Sequence, residues 1–373
     1  MTKKKLAEIR KLEKIDIVVL SCFGHVGIDY VGNLFDNNDQ LIRLPPLSFF
    51  RKLKIVNKKN KIRINNYKDK KKLCNILITY FFKKSPLKSY NFFQSDAQKK
   101  KFKLYFLEFF KFSKENNFEK KIFLAIHYSF AKLYKIGILN KKFILAQEDR
   151  PNYCHNYYKY FKTRYIFVIR DPRAAFSGSF KSQKLKALSK TYGFDRVIGN
   201  WLTAEGFVKK FNNQNLYLLK NEKFQGKHNL KKEMKKLSKW LNIDYSNSLT
   251  KPTYLGKRWY GDSSYLGKLE QSKPLPKNFY TPENIKKRWK NNLSKKQILD
   301  IEMLFFRSIK KYGYSMENKI TIINIVRAYY RALFMYKDDY NFFQNIFYTS
   351  KNIIRRIMIL TNALYASKFI DLD

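Results

Sequence analysis

The chain of 373 residues has only three cysteines, Cys22, Cys74 and Cys154, and no two of them form a CxxC pair. This wide spacing argues against a disulfide framework and against a cysteine-based zinc site. Cysteines that are not expected to form disulfides are compatible with a reducing compartment. We therefore expect a cytoplasmic protein without a metal cofactor.

Long hydrophobic runs are also missing. No stretch reaches about 18 uninterrupted apolar residues, roughly the length that a membrane-spanning helix needs. The apolar run from Ile15 to Phe23, behind a basic N-terminus, is short and contains Asp16, which favours a strand over a signal anchor. The sequence therefore predicts no transmembrane helix.

Acidic residues are scarce, since 29 Asp and Glu stand against 77 Lys and Arg and leave a net charge of +48. Strongly basic chains often bind nucleic acid or anionic membranes. Here the lysines are scattered through every segment and accompany abundant Asn, Ile, Phe and Tyr, as AT-rich codon usage would supply. We therefore expect no nucleic-acid partner. A nucleic-acid-binding protein is kept as an alternative of a different class. A basic surface still attracts anionic ligands, membranes included.

Short apolar runs that are continuous rather than alternating predict strands covered on both faces. Helix-period segments lie between them; NLKKEMKKLSKWL, for example, places four apolar residues on one face. This alternation predicts an α/β, three-layer domain with a central parallel sheet. The predicted strands are IDIVVL (15–20), IFLAIH (122–127), FILAQ (143–147), YIFVI (165–169) and LYLL (216–219), and the helix face is Leu230, Met234, Leu237 and Leu241.

We expect the α/β domain to span residues 1–314, with a helical insertion at 49–121 that is rich in Lys, Phe and Asn. A capping-box pattern at Ser294 and Gln297 opens its last predicted helix, which Gly313 ends. Residues 315–373 form a basic, aromatic-rich helical extension. It could dock on the domain, mediate dimer contacts or make a peripheral membrane contact.

The first predicted strand runs into LSCFGHVGIDYVGNLF, a loop with Gly24 and Gly27 followed by helix-period residues. Glycines let a backbone approach an anion, and amides at a helix N-terminus point towards it. The pattern predicts a phosphate cradle. It is not a Walker loop, because no Gly-Lys-Ser/Thr follows, which counts against ATP and GTP as cosubstrates.

A second motif, YIFVIRDPRAAFSGS, resembles the 3′-phosphate-binding segment of sulfotransferases, in which an arginine at a strand end is followed by a serine eight positions on. Arg170 matches that arginine. Position eight is Gly178, flanked by Ser177 and Ser179, so either serine hydroxyl could serve. LFDNNDQLIRLPP, LYLLKNEKFQGKHNLKKEMKKLSKWLNI, GKRWYGDSSY and RWKNNLSKKQILDIEMLFFRSIKKYGY resemble further family segments in the same order, so the resemblance spans about residues 15–314.

The resemblance implies a P-loop-like fold and transfer of a sulfuryl group from 3′-phosphoadenosine 5′-phosphosulfate to an acceptor hydroxyl. Family habit and the basic surface point to a carbohydrate or glycolipid acceptor. The resemblance also implies that the first loop holds the 5′-phosphosulfate and that Arg170 with Ser177 or Ser179 holds the 3′-phosphate. The implied loop residues are Gly24, His25, Val26, Gly27, Ile28 and Asp29.

This loop departs from the family pattern, in which a Lys or Arg is followed by Ser-Gly-Thr-Thr. His25 takes the basic position, and the threonine hydroxyls are missing. Either a bound anion holds His25 cationic at the leaving oxygen, or the loop is partly degenerate. The second alternative implies a protein that binds a nucleotide or glycan without catalysis.

Two residues are candidates for the base that deprotonates the acceptor. His127 ends a predicted strand, a position at which some sulfotransferases use a histidine. Glu148 ends FILAQEDRP, and it matches the first residue of the Glu-Lys-Thr-Pro segment of many bacterial members, whose glutamate is the proposed base. The sequence leaves both alternatives open.

Overall fold

A computed structural model defines the positions of most of the chain. The part that it describes comprises residues 2–24, 26–44, 48–60, 69–82, 92–185, 194–211, 215–224, 227–259 and 289–333, with the isolated residues 283, 343, 353 and 357.

Strands and helices alternate along the described chain. The strands are β1 (Asp16–Cys22), β2 (Leu41–Arg43), β3 (Phe143–Gln147), β4 (Thr163–Ile169), β5 (Leu216–Lys220), β6 (Thr253–Tyr254) and β7 (Lys257–Arg258). The helices are α1 (Lys3–Glu13), α2 (Ile28–Leu34), α3 (Phe49–Asn60), α4 (Lys70–Phe81), α5 (Asp96–Phe112), α6 (Phe118–Leu133), α7 (Cys154–Tyr160), α8 (Pro172–Leu185), α9 (Phe194–Lys210), α10 (Lys227–Leu241), α11 (Lys295–Leu304), α12 (Phe306–Lys311) and α13 (Ile322–Leu333).

A central five-stranded sheet has the strand order β2-β3-β1-β4-β5. It is parallel and flanked by helices, with Asp16 opposite Phe143 where β1 pairs with β3 and Leu41 opposite Phe143 where β2 pairs with β3. The predicted α/β class with a central parallel sheet is confirmed. Because the carboxyl ends of parallel strands meet at one edge of a sheet, the loops after them are the expected place for a ligand.

Four of the five predicted strands are confirmed, and the one at 122–127 is wrong. Those residues lie inside α6, which Asn117 caps by accepting a hydrogen bond from the Lys120 amide at 3.0 Å. Every residue from Ile122 to Ala131 is buried. A helix that is covered all round shows no 3.6-residue period, so its sequence resembles that of a buried strand.

The contacts divide the chain into two compact units, and the first comprises Met1–Ser21, Ile28–Ile166 and Leu230–Trp259. Within it, α5 packs on α6 through buried phenylalanines. Burying each of these side chains contributes about 1.5–3 kcal/mol. The predicted apolar face of α10 is also confirmed, since all four of its residues are buried.

The second unit comprises Cys22–Gly27, Phe167–Asn229 and Tyr260–Asp373. The predicted capping box is present at the start of α11. The predicted single helix is interrupted at Phe305, and Gly313 follows α12 with φ +68°.

The C-terminal extension is described through α13, which packs on α11. Ala328 and Ala332 are buried there, and Arg331 makes an ion pair with Asp300. This helix therefore packs on α11, and the three expectations for residues 315–373 as a whole stay predictions. Among the helices of the described ranges, none is long and apolar enough to cross a membrane.

Candidate functional site

The loop after β1 belongs to the second unit, and both of its glycines adopt left-handed backbone conformations. Gly24 has φ +87° and Gly27 has φ +81°, a region that residues with a Cβ rarely occupy. The loop is anchored where the Phe23 amide donates to the Val168 carbonyl of β4 at 3.1 Å. The Phe23 ring also packs edge-on against Trp201, with ring centroids 5.0 Å apart.

Asn221, the first residue after β5, holds the far end of this loop. Its side-chain amide donates to the Val26 carbonyl, although 195 positions separate the two residues in sequence. A Cβ at Gly27 would lie 2.6 Å from the Asn221 Nδ2 atom. Gly27 is therefore required both by its backbone conformation and by the amide that packs against it.

The passage from β4 into α8 explains the Asp-Pro-Arg motif. Asp171 caps α8, because its carboxylate accepts from the Arg173 amide at 2.9 Å and its carbonyl accepts from the Ala175 amide at 3.0 Å. Pro172 occupies the first helical position, where a missing N–H costs nothing. The motif therefore fixes where the strand ends and the helix begins.

Glu222, next to Asn221, holds the same passage from the other side. Its carboxylate accepts from the Asp171 amide at 2.7 Å and from the Tyr314 hydroxyl at 3.0 Å. Burial raises the pKa of Glu222, while the Asp171 amide and the Arg170 guanidinium act in the opposite direction. Arg170 itself is half-buried at the end of β4. Consecutive residues after β5 thus bind both the β1 loop and the turn that carries Arg170.

Arg173 is almost fully buried and completes a charged network beneath this turn. Its guanidinium pairs with Asp171 at 2.7 Å and with Glu302 at 2.5 Å, and it lies 4.5 Å from the Trp289 ring centroid. The Glu302 carboxylate also accepts hydrogen bonds from two backbone amides of the segment after α12. The second arginine of the motif is therefore committed to structure.

Ser177 lies one and a half turns into α8 and is buried. Its hydroxyl oxygen accepts from the Asn292 side-chain amide at 3.1 Å, so the hydroxyl hydrogen can be donated elsewhere. The Ser179 side chain and all of His25 lie outside the described residues. Their implied roles stay predictions.

Glu148 lies in the first unit, directly after β3, and its side chain is fully buried. The hydroxyl of Ser21 donates to its backbone carbonyl at 2.8 Å, which fixes the chain at this point. Burial, with a smaller contribution from Asp149, raises the pKa of Glu148 well above its ordinary value. A raised pKa makes the carboxylate a stronger base, which favours general-base catalysis.

Asp29 and Ile28 begin α2 in the first unit. The Asp29 carboxylate accepts from the Gln147 side-chain amide at 2.6 Å, and the same amide lies 3.1 Å from the Asp149 carboxylate. Acidic side chains therefore surround the end of β3. Asp29 is bound to protein groups here, and its implied contact with a cosubstrate stays a prediction.

His127 does not follow a strand, and that predicted position is wrong. It lies in α6, is 2% exposed, and its Nδ1 lies 2.7 Å from the Phe123 carbonyl, the i−4 position of the helix. Burial lowers the pKa of His127 to about 4, so the ring stays neutral and is a weak base near pH 7. The surroundings of His127 argue for a structural role, and of the two candidates they favour Glu148.

The sequence gave no site role to Asn221, Glu222 or Asn292. Each acts across a long sequence separation, which residue spacing does not reveal. The position of Asn221 and Glu222 at the end of a predicted strand was the available signal, because ligands bind there in α/β folds. Within the described ranges, no group of three or more His, Cys, Asp or Glu side chains is arranged to hold a metal ion.

Comparison with known proteins gives solved structures only. No family model and no curated protein matches the chain. It is similar to the sulfotransferase domain from the curacin biosynthetic pathway (13% identity, 81% of this chain and 99% of that chain, TM-score 0.48) and to the sulfotransferase domain from the Synechococcus PCC 7002 olefin synthase (12%, 81% and 97%, TM-score 0.47). It is also similar to sulfotransferase STF9 from Mycobacterium avium (12%, 82% and 79%, TM-score 0.38).

These three structures are sulfotransferases, the family that the sequence resembles. At such low identity and structural overlap, the likeness by itself assigns neither a donor nor an acceptor.

Proposed function

We propose that the chain is a sulfotransferase that moves a sulfuryl group from 3′-phosphoadenosine 5′-phosphosulfate to an acceptor hydroxyl on a carbohydrate or glycolipid. The observation that supports the proposal is the joint anchoring of the two motifs to which we assign phosphate binding. Asn221 binds the glycine loop at Val26, and Glu222 binds the turn that carries Arg170. Both motifs are therefore held by consecutive residues at the end of β5.

Each end of the donor has a matching anion-binding group. The glycines of the loop let its backbone amides come close to the 5′-phosphosulfate. Arg170 offers a charge-assisted bond to the 3′-phosphate, and the N-terminus of α8 adds favourable potential there. The Ser177 hydroxyl, already oriented by Asn292, is the side chain we propose as the second 3′-phosphate contact.

In the proposed reaction Glu148 takes the proton from the acceptor hydroxyl while the hydroxyl oxygen attacks the sulfur atom of the donor. A new S–O bond forms to the acceptor, the S–O bond to the donor phosphate breaks, and the 5′-phosphate leaves with the electron pair. A cationic His25 would stabilise the charge on that leaving oxygen. His25→Lys should then retain donor binding, whereas His25→Ala should weaken it.

A protein that binds the nucleotide without turnover is the second candidate. The full burial of the Glu148 side chain favours it, because a base must reach the acceptor proton. The two candidates share the donor site and differ only in chemistry.

Transfer of radiolabelled sulfur separates the two candidates. Wild-type protein is incubated with 35S-labelled donor and a panel of neutral and acidic saccharides and glycolipids, and Glu148→Gln is the matched variant. The sulfotransferase proposal predicts labelled product that the variant forms at least 100-fold more slowly, the lower end of the usual contribution of about 10²–10⁴ from a general base. Donor binding without labelled product from any acceptor would favour the binding protein.

A further inference from the structure

A cleft of about 460 Å³ opens to solvent in the first unit, and none of the residues assigned above is among those that line it. It is formed by the start of α4, the C-terminal half of α5 and the start of α6. Its apolar wall includes Leu107, Phe110 and Phe118, and its polar wall includes Lys70, Lys111 and Lys121. Three ammonium groups beside aromatic rings give the cleft a mixed, cationic character.

Two of these ammonium groups share one aromatic wall. Lys70 Nζ lies 4.3 Å from the Phe118 ring centroid and 5.7 Å from the Phe110 centroid, and Lys121 Nζ lies 5.6 Å from the Phe110 centroid. The two rings are 5.7 Å apart in an edge-on arrangement. Burial lowers the pKa of both lysines. The charge of Lys121 lowers the pKa of Lys70 further, whereas Glu13 and Glu115 act to raise the pKa of Lys121. The repulsion between them would be relieved by a bound anion.

Two acidic side chains act on Lys121, and one of them, Glu115, lines the cleft itself. Glu115 pairs with Lys120 at 2.7 Å and accepts from the Asn117 amide at 2.9 Å. Glu13 pairs with Arg10 at 2.8 Å and accepts from the Ser113 hydroxyl at 2.7 Å. In the described lining three lysines stand against one glutamate, so the cleft carries an excess of positive charge.

We propose that this cleft binds an organic anion in which an ionised sulfonate, sulfate, phosphate or carboxylate group is attached to a flat apolar ring. The ring packs against Phe110 and Phe118, and the anionic group lies between the ammonium groups of Lys70 and Lys121. This ligand site is independent of the sulfuryl transfer proposed above.

Benzenesulfonate is a probe that carries both features. Benzenesulfonamide keeps the ring without the charge, and inorganic sulfate keeps the charge without the ring. The calorimetric titrations are done at 0.15 M salt, because screening by salt weakens nonspecific binding of anions to scattered surface lysines. We expect benzenesulfonate to bind at least about tenfold more tightly than either control compound, because only it makes both the charged and the apolar contact. Equal affinities for the three compounds would overturn the proposal.

A charge-matched pair of variants locates the binding. Lys70→Gln should weaken benzenesulfonate binding about tenfold or more, whereas Lys100→Gln, on the exposed face of α5 in the same unit, should leave it unchanged. An equal effect of the two substitutions would show that only total charge matters and would contradict the site.

Amine labelling supplies a second readout that needs no substitution. The wild-type chain is acetylated with and without benzenesulfonate, and the acetylation of each lysine is measured by peptide mass spectrometry. The ligand should slow acetylation of Lys70 and Lys121 and leave Lys100 unaffected. Protection of all three lysines to the same degree, or of none, would overturn the proposal even if a variant failed to fold.

Discussion

Replacing Gly27 by alanine perturbs the loop at the point where its geometry is most constrained. The new Cβ would meet two separate obstacles, a backbone at φ +81° and the Asn221 Nδ2 atom at 2.6 Å. A residue with a Cβ in the left-handed region costs roughly 1–2 kcal/mol, and a forced contact adds about 1–3 kcal/mol. We therefore expect Gly27→Ala to lower the free energy of unfolding by about 2–5 kcal/mol.

Gly24→Ala is the matched control in the same loop. Gly24 has a similar φ of +87°, but its added Cβ would come no closer than 3.6 Å to the nearest atom, Asn200 Cβ, which is ordinary contact. Only the backbone penalty then applies, so the loss should be roughly 1–2 kcal/mol. The difference between the two glycine variants isolates the contact with Asn221.

A double-mutant cycle with Asn221→Ala tests that assignment. Asn221→Ala alone should cost about 1 kcal/mol, since it removes the hydrogen bond to the Val26 carbonyl. In that background the obstacle at Gly27 is gone, so Gly27→Ala should cost only the backbone penalty. We expect a coupling free energy of about 1–3 kcal/mol, measured by urea unfolding of the four proteins. Additive losses would refute this account of the loop.

Three further predictions concern other parts of the site. Because burial raises the pKa of Glu148, its protonated form is favoured in the folded state, and this contribution to stability is lost as pH rises through the folded-state pKa. Glu148→Gln should therefore unfold at higher temperature than wild type at alkaline pH, and an equal gain at acidic and alkaline pH would be contrary to this expectation. Arg173→Met should cost about 3–5 kcal/mol in urea unfolding, because it leaves the buried Glu302 carboxylate without its cation, and a loss under 1 kcal/mol would mean that this ion pair is not needed. Ser177→Ala should weaken binding of adenosine 3′,5′-bisphosphate by about 1 kcal/mol, and Asn292→Ala should do so by less; a larger loss from Asn292→Ala would remove Ser177 from the phosphate site.

Four of the five strands of the central sheet could be predicted from sequence because they are short, continuous apolar runs, whereas β2, with three residues, is too short to form such a run. IFLAIH was misassigned because the buried α6 has no polar face to reveal its helical period. The signal that marks the helix lies outside the apolar run, in Asn117, which caps α6, and in Glu119 of the first turn.

The candidate site could be predicted only in part. Gly24, Gly27 and Arg170 follow apolar runs, so their positions at strand ends could be expected from the local pattern. The role of Asn221 could not, since its contact with Val26 exists only after β1 and β5 have been brought into one sheet. Local sequence patterns therefore predict candidate ligand-binding residues more readily than they predict the residues that hold them in place.

Calorimetric titration with adenosine 3′,5′-bisphosphate tests the central claim most directly, because it probes the donor site without knowledge of the acceptor. Arg170→Ala is compared with Arg307→Ala, which removes the same charge from an exposed position in the same unit. We predict that wild type and Arg307→Ala bind the bisphosphate alike and that Arg170→Ala binds it about 2–4 kcal/mol more weakly. Failure of the folded wild type to bind, or equal losses in the two arginine variants, would contradict the assignment of this site.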